Sequence, residues 1–130
     1  MTALVVETRG GNETATAVCD ALIGLDGVAR CFDADLDDLL DRPAFVLHDL
    51  IVVACGDDAD AGHRACLALR DFTPSMLVMA TSSRSEADEL LAFARGCDDY
   101  LTTSSSPAVI RAHLQGLIAR TARRRAGRMD

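Results

Sequence analysis

The sequence contains the stretch DLIVVACGDD at residues 49–58, an uninterrupted apolar run with a polar end. The apolar part is rich in β-branched residues, and a glycine and two aspartates close it. Such a run predicts a β-strand covered on both faces, as in the middle of a parallel sheet. Ligands of open α/β sheets bind beyond the C-terminal ends of such strands. We therefore expect any working site of this chain near residues 54–58.

The composition predicts one domain that folds around its own core. The chain has 130 residues, of which 49% are hydrophobic, which is typical of a globular domain and not of a disordered chain. No apolar run approaches the roughly 20 residues that cross a bilayer, so we expect no transmembrane helix. No basic segment precedes the first apolar run, so we expect no signal peptide. Five scattered cysteines without a CxxC pair indicate a reducing compartment. We expect a cytoplasmic protein with no membrane contact and no cofactor.

Charge is distributed unevenly along the chain. Residues 1–110 carry seven arginines against nineteen acids, a net charge of −12, whereas residues 111–130 carry six arginines against one acid, a net charge of +5. An acidic body does not attract nucleic acid, so we expect no direct nucleic-acid contact by this domain. The basic ending is predicted to be a solvated tail or linker, with a DNA contact as the open alternative. The chain has no lysine, which excludes Schiff-base chemistry.

Apolar runs alternate with stretches of helical spacing along the chain. Strands are predicted at residues 3–7, 28–32, within 49–58, at 76–80 and at 100–103, and helices at 13–24, 34–41, 62–72, 83–96 and 106–125. This alternation favours right-handed βαβ crossovers and a single parallel sheet. The α/β class therefore follows from the pattern alone.

Each predicted helix has an apolar face that we expect to point into the core. The fourth helix is predicted to begin with a capping box at residues 83–86, and Ser106 and Pro107 are predicted to begin the last one. The predicted inward residues are Val18, Leu22 and Leu25 in the first helix, Leu36, Leu39 and Leu40 in the second, Ala65, Leu69 and Phe72 in the third, Ala87, Leu90, Leu91 and Ala94 in the fourth, and Ile110, Leu114, Leu117, Ile118 and Thr121 in the last.

Two stretches resemble the receiver domain of bacterial response regulators. The segment GCDDYLTT at residues 96–103 is similar to the family pattern GADDYLTKPF, and DLIVV at residues 49–53 is similar to the family's third strand, DLVLLD. The segment ALVVE at residues 3–7 resembles the first strand, which ends in two acids. The resemblance covers residues 3 to about 120 and implies a flavodoxin-like (βα)5 fold, a doubly wound parallel sheet of five strands in the order 2-1-3-4-5.

The resemblance also implies a division of the chain. Residues 1–120 would form the receiver-like domain. Residues 121–130 would be an Arg-rich C-terminal tail or the start of a linker to an output domain.

The resemblance implies that the family's phosphorylation pocket is degenerate in this chain. Receivers use an aspartate as phosphoryl acceptor, two acids to hold Mg²⁺, a hydroxyl, and a lysine that pairs with the phosphoryl charge. The resemblance places the acceptor at Ala54, the acid pair at Glu7 and Thr8, and the lysine at Thr103, while Thr81 keeps the hydroxyl. A methyl group cannot form an acyl phosphate, so the resemblance implies a receiver without aspartate phosphorylation at the usual position.

Acids and hydroxyls near the same strand ends leave alternatives open. In a shifted register Asp57 could become the acceptor or, with Glu7, a weak metal ligand. A solvated loop in which Asp58 or Asp60 caps the following helix is the favoured interpretation. The hydroxyls of residues 81–83 and 102–106 could hold an anion beside helix N-termini, or could cap helices and turns.

Histidine and cysteine side chains give weaker signals. His48 and His63 have no visible partner for a catalytic triad and are predicted to lie on the surface. Cys55 is predicted to face the pocket, and packing is favoured there over redox sensing.

The winged-helix branch of the family dimerises through helix 4, strand 5 and helix 5, where acids near strand 5 pair with arginines of the last helix. The resemblance implies a switch aromatic at Tyr100 and a homodimer through this face. The matching acids are Asp98 and Asp99, the matching helix position is His113, and the possible substitutes are Arg95, Arg111 and Arg120.

The preferred interpretation is a non-enzymatic regulatory module of a two-component system. It would act by protein–protein interaction or dimerisation, with a partner protein or a C-terminal DNA-binding domain as its output. A small-molecule or anion-binding module at the vacant pocket stays open as an alternative. A metal-dependent phosphatase that uses Asp57 and Asp58 is a further one, although no nucleophile–base pair is visible in the sequence.

Overall fold

The computed structural model describes residues 2–25, 27–40 and 48–129. These residues contain five parallel β-strands. The strands are β1 (Thr2–Glu7), β2 (Gly27–Phe32), β3 (Leu50–Ala54), β4 (Met76–Thr81) and β5 (Asp99–Thr102). They form one sheet in the order β2-β1-β3-β4-β5. The predicted flavodoxin-like fold and its strand order are confirmed.

Helices follow the strands as the sequence predicts. In the described part of the chain they are α1 (Asn12–Ala21), α2 (Leu36–Leu40, preceded by a 3₁₀ turn at Asp33–Asp35), α3 (Asp60–Phe72), α4 (Glu86–Ala94) and α5 (Pro107–Met129). The side chains of Leu39 and Leu40, and residues 41–47, lie outside the described residues. Within the described residues, no helix is both long and apolar enough to cross a membrane.

The central strand β3 builds both halves of the core, because successive side chains of a strand point to opposite faces. Leu50 and Val52 pack in one layer with buried residues of α1 and α5. Ile51 and Val53 pack in the other layer with buried residues of α3. Every residue of β3 is buried, which explains why this stretch has no polar alternation in the sequence.

The predicted inner face of α4 is wrong. Leu90 is 64% exposed and Leu91 is 38% exposed, while Ala92 is the buried residue of this helix. Ala87 and Ala94 are also exposed. Residues 90–94 are all apolar, so the spacing does not define one face, and tertiary contacts set the rotation of the helix instead.

Two further expectations about helix ends need correction. The N-cap of α4 is Ser85 and not Ser83, since the Ser85 hydroxyl accepts a hydrogen bond from Asp88 N at 3.3 Å. Phe72, the last residue of α3, is 54% exposed, because the chain leaves the helix there and Thr73 takes the buried position.

The inner stripe of α5 is confirmed. Ile110, Leu114, Leu117 and Thr121 are buried, and Ile118 packs against the same layer. The helix continues to Met129, a length of about 34 Å at 1.5 Å per residue. The predicted division between residues 120 and 121 falls inside this helix, and it stays a prediction.

Candidate functional site at the C-terminal edge of the sheet

Ala54 is the last residue of β3 and lies at the C-terminal edge of the sheet, where the parallel strands end. It is in register with Glu7 of β1 and with Ala80 of β4. Its methyl group is fully buried and belongs to the core layer formed with α1 and α5. The position that the resemblance matches to a phosphoryl acceptor is thus occupied by a buried methyl group.

The loop between β1 and α1 closes over the end of β3. Thr8 donates two hydrogen bonds to the Ala54 carbonyl oxygen, from its backbone N at 3.0 Å and from its hydroxyl at 3.3 Å. A Cβ atom on Gly11 would lie 2.3 Å from that same oxygen, and one on Gly56 would lie 2.2 Å from the Gly10 carbonyl oxygen. Only glycine permits these backbone contacts, so the β1–α1 loop packs directly on the end of β3.

Glu7 is nearly buried and is held by Arg30, a residue of the neighbouring strand β2. Arg30 donates to Glu7 Oε1 from Nη2 at 2.5 Å and from Nε at 2.9 Å. The same guanidinium donates to Asn12 Oδ1 at 2.9 Å and to the Thr16 hydroxyl at 3.2 Å. Arg30 therefore joins β1, β2 and the first turns of α1 through charge-assisted hydrogen bonds.

Sequence reasoning missed Arg30. The available signal was a charged residue inside the predicted strand at residues 28–32, where a charge needs a partner if it is even half-buried. Strand pairing identifies the partner of Arg30. Strand β2 pairs in parallel with β1, and Arg30 lies opposite Val5, two residues before Glu7.

Thr81 and Tyr100 form a buried hydrogen bond of 2.8 Å between their hydroxyl groups. The Thr81 hydroxyl donates its proton to the Ser83 carbonyl oxygen at 3.0 Å, so Tyr100 must be the donor to Thr81. Ser85 N in turn donates to Tyr100 Oη at 3.4 Å. Tyr100 is thus held inside the protein by groups at the end of β4 and the start of α4.

Thr103 stands where the resemblance matches the family's lysine. Its backbone N and its hydroxyl both donate to the Thr81 carbonyl oxygen, at 2.9 Å and 3.3 Å. The structure therefore brings Glu7, Thr8, Ala54, Thr81 and Thr103 to one edge, and internal contacts occupy the hydroxyls of both Thr81 and Thr103.

Several further acids and hydroxyls of this edge also have internal partners. Ser82 donates to Asp57 Oδ1 at 2.9 Å, and Asp60 N donates to Asp58 Oδ1 at 3.0 Å, so Asp58 supplies an acceptor at the start of α3. Thr102 and Ser104 share a hydrogen bond of 2.9 Å between their hydroxyl groups. Across residues 2–25, 27–40 and 48–129, no cluster of three or more His, Cys, Asp or Glu side chains could hold a metal ion.

Comparisons with known proteins bear on the fold of the chain. No family model matches the chain. YvrH, a transcriptional regulatory protein of Bacillus subtilis, is 38% identical over 71 residues, which are 52% of this chain and 30% of that protein. A CheY-like response-regulator receiver domain from Methanospirillum hungatei superposes with a TM-score of 0.68 at 12% identity, covering 95% of this chain and 97% of its own. This chain has the receiver fold.

A second solved structure similar to this chain belongs to a protein assigned to pilus assembly, CpaE, from Burkholderia thailandensis. It superposes with a TM-score of 0.66 at 21% identity and covers 94% of this chain and 98% of its own. The match with YvrH, by contrast, spans less than a third of that regulator.

The two acids of the predicted dimer face, Asp98 and Asp99, contact other residues of the same chain. Asp98 Oδ2 accepts hydrogen bonds from Arg70 Nη1 at 3.2 Å and from Leu77 N at 2.8 Å. Asp99 Oδ2 lies 3.0 Å from His113 Nε2 and 3.7 Å from Arg120 Nη1. Asp99, His113 and Arg120 thus form one cluster between β5 and α5 of a single chain.

Of the other two residues assigned to this face, Arg95 and Arg111, neither forms an ion pair with Asp98 or Asp99 in the described part of the chain. Arg95 lines a groove between α3 and α4. Arg111 lines a cavity between α1 and α5, together with Ala17 and Asp20. The use of these seven residues as a dimer face, and dimerisation itself, stay predictions.

The surface prediction for His63 is wrong. His63 is buried, and its Nε2 lies 3.1 Å from Asp88 Oδ1, which links α3 to α4. It lies on the inner side of α3, three residues before the buried Cys66. That helical spacing was the available signal. His48 is half-buried rather than fully exposed, and burial lowers its pKa.

The buried cysteines are packing residues of the core and not reactive thiols. Cys55 is fully buried, and burial raises its pKa to about 12. A Cβ atom on Gly62 would lie 2.1 Å from Cys55 Sγ, so the thiol packs against α3 and does not face the C-terminal edge. A hydrogen bond with Cys97, together with burial, raises the pKa of the Cys66 thiol.

Proposed function

We propose that this chain is an atypical receiver module that acts through protein–protein interaction or dimerisation, without aspartate phosphorylation. The observation that carries the proposal is the closed C-terminal edge. A buried methyl group stands at Ala54, and backbone at Gly11 packs directly against the Ala54 carbonyl oxygen. A phosphoryl group therefore has no acceptor oxygen at that position, and the β1–α1 loop packs on the end of the strand that would carry it.

The ion pair of Glu7 with Arg30 supports the same proposal. Mg²⁺ needs several oxygen ligands in near-octahedral geometry. Glu7 is the only acid that this chain has at the matched pair of positions, because Thr8 replaces the second one. The guanidinium of Arg30 already neutralises the Glu7 carboxylate, so a metal ion would have to compete with an internal cation.

The position of Tyr100 supports a conformational state of the module that does not depend on phosphorylation. In a two-state module, a ligand shifts the population only by its differential affinity for the two states. Here the inward position of Tyr100 is stabilised by Thr81 and by Ser85 N, groups of the chain itself. We therefore propose that a partner, not a phosphoryl group, selects the state of the α4–β5 surface.

The setting that we propose is a cytoplasmic, non-enzymatic module of a two-component system. YvrH is a transcriptional regulatory protein, and its match with this chain covers 30% of its length. A separate partner protein or a DNA-binding domain would then supply the output.

Sedimentation velocity with and without a small phosphodonor tests the proposal. The protein is measured alone, with Mg²⁺, and with Mg²⁺ plus acetyl phosphate. We expect the same distribution of sedimentation coefficients in all three samples, because the proposed interactions do not need phosphate. An association state that appears only with Mg²⁺ and acetyl phosphate together would contradict the proposal.

A further inference from the structure

A groove of about 200 Å³ lies between α3 and α4, on the outer surface of the α3 layer. We call it the α3–α4 groove. Its lining residues are Asp60, His63, Arg64, Leu67, Leu91 and Arg95. The volume is below the 300–1,000 Å³ typical of small-molecule pockets and suits one or two large apolar side chains.

The walls of the groove are apolar and accessible. Leu67 of α3 is 45% exposed, and Leu91 of α4 is 38% exposed. Leu90 and Phe93 of α4 are also exposed, outside the groove lining. Exposed apolar surface with a polar rim is typical of protein-interaction sites, and Leu91 belongs to the helix whose predicted inward face is exposed.

The lining of the groove carries a net positive charge, with two arginines against one acid. Arg64 and Arg95 are exposed, and in the described part of the chain neither side chain forms a hydrogen bond or an ion pair. The one acid in the lining is Asp60. Two free guanidinium groups beside an apolar cleft are notable on a chain whose net charge is −7, and they fit carboxylates in fork geometry.

We infer that the α3–α4 groove binds an acidic amphipathic helix of a partner protein. Such a helix would insert an apolar side chain between Leu67 and Leu91 and place carboxylates against Arg64 and Arg95. Apolar anchors at helical spacing that enter a groove are a common mode of peptide recognition. This inference rests on the proposed function, since it names the partner class of an interaction module.

A hydrogen-bond chain connects the floor of this groove to Tyr100. His63 lies 3.1 Å from Asp88, Asp88 N donates to the Ser85 hydroxyl at 3.3 Å, and Ser85 N donates to Tyr100 Oη at 3.4 Å. A helix that displaces α4 would therefore alter the surroundings of Tyr100. Because Tyr100 is the only tyrosine and the chain has no tryptophan, its emission reports this change directly.

Two labelled synthetic peptides test the inference by fluorescence anisotropy. Both are amphipathic helices with leucines at i, i+3 and i+7. One has glutamates beside the leucines, and the other has lysines at the same positions. We expect the acidic peptide to bind about tenfold more tightly than the basic one, as two partly exposed ion pairs allow. Binding should also change the Tyr100 emission.

Charge reversal identifies the site. The double variant Arg64→Glu and Arg95→Glu should reverse the preference, so that the basic peptide binds more tightly. Arg84→Glu is the matched control, because Arg84 lies just before α4, outside the groove lining, and pairs with Glu89; it should leave the preference unchanged. Denaturant unfolding of each variant shows that the fold is kept.

Several results would overturn the inference. These are saturation by neither peptide, equal binding of both, an unchanged preference in the double variant, and bound peptide with unchanged Tyr100 emission. Self-association that the double variant abolishes would instead assign the groove to a second copy of the chain. None of these results bears on phosphorylation, so a failure here is distinguishable from a failure of the proposed function.

Discussion

At the scale of single residues, Gly11 lies where the β1–α1 loop crosses the end of β3. Its φ is −93°, so alanine would adopt the backbone without strain there. The added Cβ would however lie 2.3 Å from the Ala54 carbonyl oxygen. We expect Gly11→Ala to lower the free energy of unfolding in urea by about 2–3 kcal/mol, as overpacking does.

Gly116→Ala is the control for this substitution, because nothing lies within 4 Å of a Cβ atom at that exposed position of α5. It should raise the stability by about 0.5–1 kcal/mol through helix propensity. Equal effects of the two substitutions would mean that the loop does not pack on β3 as described.

Arg30 gives a second prediction at this scale. Arg30→Ala leaves the nearly buried Glu7 carboxylate without its counter-ion, so we expect a loss of about 2 kcal/mol in urea unfolding. Arg84→Ala removes a pair whose arginine is 67% exposed, and such pairs contribute less than about 0.5 kcal/mol. Similar losses in the two variants would contradict the role assigned to Arg30.

Buried thiols predict how stability depends on pH. The ordinary thiol pKa is 9.0, and burial raises the pKa of Cys31 to about 11 and that of Cys55 to about 12. Above pH 9 the unfolded chain loses these protons while the folded chain keeps them. The free energy of unfolding should therefore fall as pH rises from 9 towards 12.

Urea unfolding of the unsubstituted protein and of the Cys55→Ala variant between pH 9 and pH 12 measures how much the Cys55 thiol contributes to the pH dependence of stability. The slope of stability against pH is the quantity to compare, because the truncation also leaves a cavity that lowers stability at every pH. The variant should show the shallower decline. Identical slopes would show that Cys55 does not carry the effect.

At the scale of elements, α4 and α5 differ in how firmly their sequences define an inner face. Leu114 of α5 is fully buried, whereas Leu90 of α4 is 64% exposed. The same substitution to alanine should cost about 2–5 kcal/mol at Leu114 and less than about 0.5 kcal/mol at Leu90. Chemical denaturation measures both. A large loss of stability in Leu90→Ala would mean that Leu90 packs into the core, as the apolar spacing predicts.

The difference between these helices shows what spacing can predict. In α5 the apolar residues alternate with arginine, histidine and glutamine, so only one rotation buries them. In α4 the run at residues 90–94 offers several rotations. The contacts that select one of them, from Asp88 to His63 and from Ser85 to Tyr100, join residues 25 and 15 positions apart, which helical spacing does not contain.

At the scale of the whole molecule, strand order and topology were predictable. Alternating apolar runs and helices leave few topologies for a parallel sheet, and the resemblance at residues 96–103 selects the order that the structure confirms. The residues of the C-terminal edge were predictable as a set, because parallel strands all end there. Its closure was not, since it depends on contacts such as Thr8 to Ala54, 46 positions apart.

Intact mass spectrometry after incubation with Mg²⁺ and acetyl phosphate tests most directly whether the edge is closed to phosphoryl transfer. A buried methyl at Ala54 and a guanidinium on Glu7 predict that the mass of the protein stays unchanged. An adduct of about 80 Da, the mass of one phosphoryl group, would contradict the account if it were carried by any aspartate. Its loss in Asp57→Asn would assign it to a shifted register of the third strand.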